Sequence, residues 1–246
     1  MNHLALAAAS TALVGCVIET ADRGHSGDPP GDVAAIAASW SLRNMADGAV
    51  TGCPSGFETA QLLVQPIDEA GAALADPIVD RFDCDSQAGT SAGLAPALYQ
   101  VSLEIRSRDL GALYARSLSQ VIDVRRTDPQ VAFELLNDGG YFQLSWDLIG
   151  AVTGEPLACS QITGLDGISL ISTSVPDPDV VYEGHFTCED HRAVTGGLLH
   201  GSYTLSIDAT VDDSPIGAAV RLSDQIISSQ NGVTQLGQVV IPIDGQ

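Results

Sequence analysis

The chain has 246 residues, 45% hydrophobic and only 5% aromatic, which suits one large domain or two of ordinary size with cores of Leu, Ile, Val and Ala. Acidic residues outnumber basic ones 31 to 10, giving a formal net charge of −21, and every basic residue is Arg. A surface of this sign repels phosphate backbones and anionic lipid, so nucleic acid is excluded as an expected partner, while divalent cations stay open.

The first element in chain order is an apolar run over residues 4–15, interrupted only by Ser10 and Thr11. Twelve helical residues span about 18 Å, well short of a bilayer core of about 30 Å, and the length suits the h-region of a secretory signal. The run ends in Leu13-Val14-Gly15-Cys16, which resembles the lipobox of bacterial lipoproteins. The resemblance covers the first sixteen residues. It implies a signal peptide over 1–15, cleavage before Cys16, and a diacylglyceryl group on the Cys16 sulfur. Asn2-His3 departs from such signals, which normally begin with Lys or Arg. Residues 16–32, with Asp28-Pro29-Pro30-Gly31, hold too little apolar surface to fold alone and read as a flexible tether. Acyl chains on Cys16 would then anchor the protein to a membrane.

The remainder is a repeat. Ser39-Trp40-Ser41-Leu42 returns as Ser145-Trp146-Asp147-Leu148, and Cys53 as Cys159, both at an offset of 106 residues. Phe82-Asp83-Cys84 returns as Phe186-Thr187-Cys188, and Gly93, Leu94 and Tyr99 as Gly197, Leu198 and Tyr203, at an offset of 104. One two-residue deletion between Cys159 and Phe186 reconciles the pairs. The expected domains are 33–138 and 139–246.

Strand periodicity fills both copies. Tyr99, Val101, Leu103 and Ile105 alternate with polar residues, as do Tyr203, Leu205, Ile207 and Ala209, the pattern of half-buried strands. Ala38, Trp40 and Leu42 alternate likewise, as do Leu144, Trp146 and Leu148. Further strands in the first copy are expected over 58–66, 77–84, 88–92, 112–124 and 130–136, separated by Gly, Asp, Asn and Pro clusters. No long helical stripe occurs. About seven short strands in roughly 105 residues predict an all-β fold, two tandem immunoglobulin-like or Greek-key β-sandwiches. Periodicity alone does not choose among related sandwich topologies.

Gly93-Leu94-Ala95-Pro96-Ala97-Leu98-Tyr99-Gln100-Val101 resembles the turn and strand of prealbumin-like domains of the carboxypeptidase-regulatory type. The stretch from 197 to 205 keeps Gly201 and Tyr203 of that pattern but has His200 in place of Pro. The whole plan is similar to lipoproteins of high-GC bacteria such as myxobacteria. The resemblance implies extracellular display on a β-sandwich, and no catalytic residue travels with it.

Setting Cys16 aside leaves four cysteines, two per copy. Four cysteines permit three connectivities, of which equivalence of the copies favours Cys53–Cys84 and Cys159–Cys188, in an oxidising compartment. Three polar groupings invite chemistry. His185, His191 and His200 all lie in the second copy beside Glu189 and Asp190, where imidazoles next to carboxylates suit zinc, although exposed loop or strand positions serve as well. Asp177, Asp179, Asp212 and Asp213 could hold Ca²⁺ on sandwich loops, without the EF-hand spacing. Ser, His and Asp are abundant, but no Gly-x-Ser-x-Gly elbow, phosphate loop or dinucleotide fingerprint occurs. Trp40 and Trp146 sit on apolar strand faces and are expected in cores rather than as sugar platforms. The expectation is therefore a non-enzymatic envelope lipoprotein without cofactor, exported and lipid-anchored at the outer membrane on its periplasmic or surface face. It would display two modules to an envelope protein or glycan. A carbohydrate- or Ca²⁺-dependent binding module is the alternative, and a hydrolase a remote third.

Overall fold

In the computed structural model, which describes residues 33–125 and 128–244, the alternating segments become strands. The first half carries β1 (Ala37–Arg43), β2 (Val50–Thr51), β3 (Thr59–Ile67), β4 (Ile78–Asp83), β5 (Ala88–Thr90), β6 (Leu98–Arg106), β7 (Leu113–Arg116), β8 (Gln120–Asp123) and β9 (Gln130–Leu136). The second half carries β10 (Gly139–Gly150), β11 (Pro156–Leu157), β12 (Leu165–Ser174), β13 (Val181–Phe186), β14 (Arg192–Val194), β15 (Leu198–Leu199), β16 (Gly201–Val211), β17 (Ser214–Pro215), β18 (Val220–Ile227) and β19 (Gly232–Ile243). The helical residues among the described ones are short 3₁₀ turns, such as Cys84–Ser86 and Cys188–Asp190.

Each half folds as two facing sheets. In the first, β1 has β9 as a parallel neighbour on one side and the short β2 and β5 antiparallel on the other. The second sheet runs β4-β3-β6, with β7 and β8 in succession along the far edge of β6. The second half repeats this plan with β10, β19, β11 and β14 in one sheet and β13-β12-β16 with β17 and β18 in the other. Placing first and last strands side by side and parallel closes each half upon itself. The two facing sheets enclose the apolar members of the alternation.

The first core gathers Trp40, Leu42, Leu62, Val64, Val101, Leu103, Ile105, Phe133 and Leu135, and the second gathers Phe142, Trp146, Leu148, Leu170, Leu205, Ile207, Val239 and Ile241. These are separate clusters, each packed with its own disulfide. Cys53–Cys84 and Cys159–Cys188 span Cα separations of 6.1 and 6.0 Å. Beside each, a buried indole donates its Nε1–H to the second cysteine's carbonyl, Trp40 to Cys84 at 2.9 Å and Trp146 to Cys188 at 3.1 Å. A phenol lies against Phe142 in the second core, Tyr203, whose hydroxyl donates to the Leu199 carbonyl at 2.8 Å; Tyr99 does the same to Ala95 at 2.9 Å.

Three details differ from the alternation pattern. The stretch 112–124 is two strands because Ser117 interrupts it: its N–H donates to the Leu103 carbonyl and its hydroxyl accepts from the Leu103 N–H. A side chain thereby replaces a ladder partner, and the edge breaks. The two-residue strands β2 and β11 are too short to show a period. The offset change also has two parts. Leu62 pairs with Leu103 as Leu170 pairs with Ile207, so two residues are gained before β12, whereas the connection over 175–180 is four shorter than that over 68–77.

Candidate functional site

The halves meet without a linker. β9 ends at Leu136, β10 begins at Gly139, and the two residues between are occupied by local bonding. The Asn137 N–H donates to the Arg43 carbonyl, and the Asp138 carboxylate accepts from the N–H groups of Met45 at 2.5 Å and Ala46 at 3.2 Å. From the second half, the His200 N–H donates to the Asp138 carbonyl at 2.9 Å.

Asn231 is the central polar residue of this junction. It is 2% exposed, at φ 48°, a left-handed conformation that Asn tolerates better than most residues. Its Oδ1 accepts from the Leu136 N–H at 2.6 Å and the Tyr141 hydroxyl at 3.0 Å. Its Nδ2 donates to the Arg116 carbonyl at 2.6 Å, and its own N–H to the Gly139 carbonyl at 2.7 Å. One side chain of the second half thus satisfies backbone groups on both β7 and β9 of the first. Gly197 lies against the same seam, where an added Cβ would stand 2.5 Å from Leu136 Cδ1.

Beside the seam lies a groove of about 530 Å³. The first half contributes Gln100 of β6, Arg116 at the end of β7, and Ser117, Leu118 and Ser119 from the break before β8. The second half contributes Gln143 of β10, Arg192, Ala193 and Val194 of β14, and Val233 and Gln235 of β19. Gln235 donates Nε2–H to Gln143 Oε1 at 3.1 Å. The Arg116 guanidinium pairs with Glu104, which is 1% exposed and also receives Arg106 Nε at 2.5 Å. Two guanidinium groups on one buried carboxylate compensate its desolvation and hold Arg116 in place. Among the described residues Asp208, the second-half counterpart of Glu104, has only Ser206 Oγ, at 3.3 Å. The halves have therefore diverged here. Polar residue types as common as Gln and Ser give no local pattern, so alternation along single strands could not reveal a groove made by two halves.

The residues singled out from sequence are dispersed. His185 is exposed on β13 opposite Ser169. His191 takes the left-handed position after the Cys188–Asp190 turn at φ 52°, as Gln87 does at φ 53° in the first half, and its Nδ1 lies 3.3 Å from the Trp146 carbonyl. His200 is at the junction. Asp212 and Asp213, at φ 48° and 58°, form the two-residue turn between β16 and β17, where both central residues need positive φ. The Asp177 carboxylate caps the Asp179 N–H in the turn before β13. Among the described residues no three His, Cys, Asp or Glu side chains converge as a metal site. Trp40 and Trp146 are 3% and 1% exposed and lie in the cores. Cys16 lies outside the described residues.

No protein-family model matches the chain, and no curated protein matches it. Solved structures with some likeness include a leucine-rich repeat protein from Bacteroides thetaiotaomicron, at 10% identity and TM-score 0.39, covering 87% of this chain and 27% of that one. This chain thus spans well under half of that protein. A second, described as a candidate polysaccharide-binding protein of the same organism, has 10% identity and TM-score 0.32, covering 77% of this chain and 80% of that one. A fimbrial protein from Bacteroides ovatus has 8% identity and TM-score 0.30, covering 86% of this chain and 51% of that one.

Proposed function

We propose that this chain is an exported, non-enzymatic interaction module, tethered to the cell envelope through a lipid on Cys16 and displaying two coupled β-sandwich domains, 33–138 and 139–246. The observation that carries the reading is the pair of equivalent disulfides, Cys53–Cys84 and Cys159–Cys188, each with a Trp indole bonded to its second cysteine's carbonyl. Disulfides persist in oxidising compartments, outside the reducing cytosol. Of the other singled-out side chains, His191 and the Asp212-Asp213 pair shape turns, and both Trp residues fill cores. A groove beside the Asn231 seam, lined by both halves, is open to a partner.

Fractionation tests the anchor. The wild-type chain is expected with membranes, and Cys16→Ser in the soluble fraction. If Cys16→Ser stays with membranes to the same extent as wild type, lipid tethering is wrong.

A further inference from the structure

We propose that the groove between the two halves binds an oligosaccharide bearing carboxylates, of the uronic-acid kind. This rests on reading the chain as an exported interaction module and names its ligand class.

Charge is the first argument. In a chain with 31 acidic residues, no Asp or Glu lines this groove, while two of the ten Arg residues do. Arg116 is paired with Glu104, so Arg192 supplies the unneutralised positive charge on a lining without carboxylates, and such a spot attracts anions. Arg116 is fixed from two directions, its carbonyl by Asn231 and its guanidinium by Glu104. Arg192 is exposed and has no ion-pair partner among the described residues. Its planar fork is free to take a carboxylate through two parallel hydrogen bonds.

The other lining groups decide what carries the carboxylate. Gln100, Gln143 and Gln235 present amides that both donate and accept, and Ser119 adds a hydroxyl. That set matches ring hydroxyls, which also do both. Leu118, Val194 and Val233 offer shallow apolar contact suited to the C–H face of a sugar ring. An acidic peptide fits less well, because β14 offers only three residues of strand edge, about half a typical strand, for backbone pairing. The volume of about 530 Å³ lies within the range usual for small-ligand sites.

The test is calorimetric titration of the chain with its disulfides formed, using a galacturonic-acid hexasaccharide, a neutral glucose hexasaccharide and hexaglutamate. The uronate is expected to bind at least about tenfold more tightly than either of the others, with affinity falling as salt rises. Arg192→Ala should weaken uronate binding about tenfold or more, the usual worth of a charge-assisted bond. Its unfolding curve should match wild type, since the removed guanidinium holds no ion pair in the fold. Absence of uronate binding, equal binding of the neutral sugar or of hexaglutamate, or an unchanged affinity in Arg192→Ala each overturns the proposal. Release of Cys16→Ser from membranes in those same cases would leave the display reading standing and remove the ligand class alone.

Discussion

Tyr141 and Tyr203 are phenols held away from water, and burial is the main reason each pKa is pushed up to about 12. The Glu134 charge adds to the effect on Tyr141, and the Tyr182 side chain to that on Tyr203. Tyr99 and Tyr114 are raised as well, again chiefly by burial. In the unfolded chain these phenols ionise near pH 10. Folding thus favours the protonated form, a contribution that is whole below pH 10 and is lost as pH rises through about 12. The chain has no Lys to titrate in that window. The denaturation midpoint should therefore hold steady just below pH 10 and fall steeply between 10 and 12, with phenolate absorbance rising as the protein unfolds. A midpoint unchanged through that window would contradict the burial of these phenols.

Among the elements, each disulfide joins the turn after an outer strand to the loop ahead of its neighbour, and so ties down a sheet edge. Cys53 and Cys84 are 31 residues apart, and closing a loop of that length is worth about 3–4 kcal/mol in the chain-entropy view. A Cys53→Ser, Cys84→Ser double variant is expected to lose about that much in denaturant titration, with the loss confined to the first core. Free-thiol assays on the folded wild-type chain should find at most one thiol. The strands themselves are legible where alternation is long, as in β6 and β16, whose alternating apolar residues are buried. They were not legible at β2 and β11, which are held only by pairing to β1 and β10. The break between β7 and β8 was equally silent, because it depends on Ser117 meeting Leu103, a partner fourteen residues away.

For the whole molecule, coupling of the halves falls on Asn231. Asn231→Gly keeps the left-handed backbone and removes the side chain, which leaves the Arg116 carbonyl, the Leu136 N–H and the Tyr141 hydroxyl without that partner. Each unpaired buried group costs about 1–3 kcal/mol. The expected outcome is a clear loss of stability and an unfolding curve that separates into two transitions, one for each core. A single unshifted transition would show that the halves are joined by other means. The same seam explains why the groove was invisible in the chain order: Gln100 and Arg116 lie far in sequence from Arg192 and Gln235, and nothing local records that they face one another.

What the sequence by itself determined is the repeated alternation of apolar and polar residues, the matched Trp, Cys and Tyr positions, and the strongly acidic composition. These follow from local periodicity and from counting, and they carry the all-β class, the two cores and the disulfide pairing with them. Only the tertiary structure decided the strand order, with first and last strands parallel and adjacent, because period-two alternation says which face is buried but not which strand lies alongside. It also decided the fates of His185, His191, His200, Asp212 and Asp213. Their chemistry suits metal ions, yet the backbone holds His185 on β13, His191 after the Cys188–Asp190 turn, His200 at the junction and the Asp212-Asp213 pair in the turn before β17, while Asn231, an unremarkable residue in sequence, is buried where the halves join.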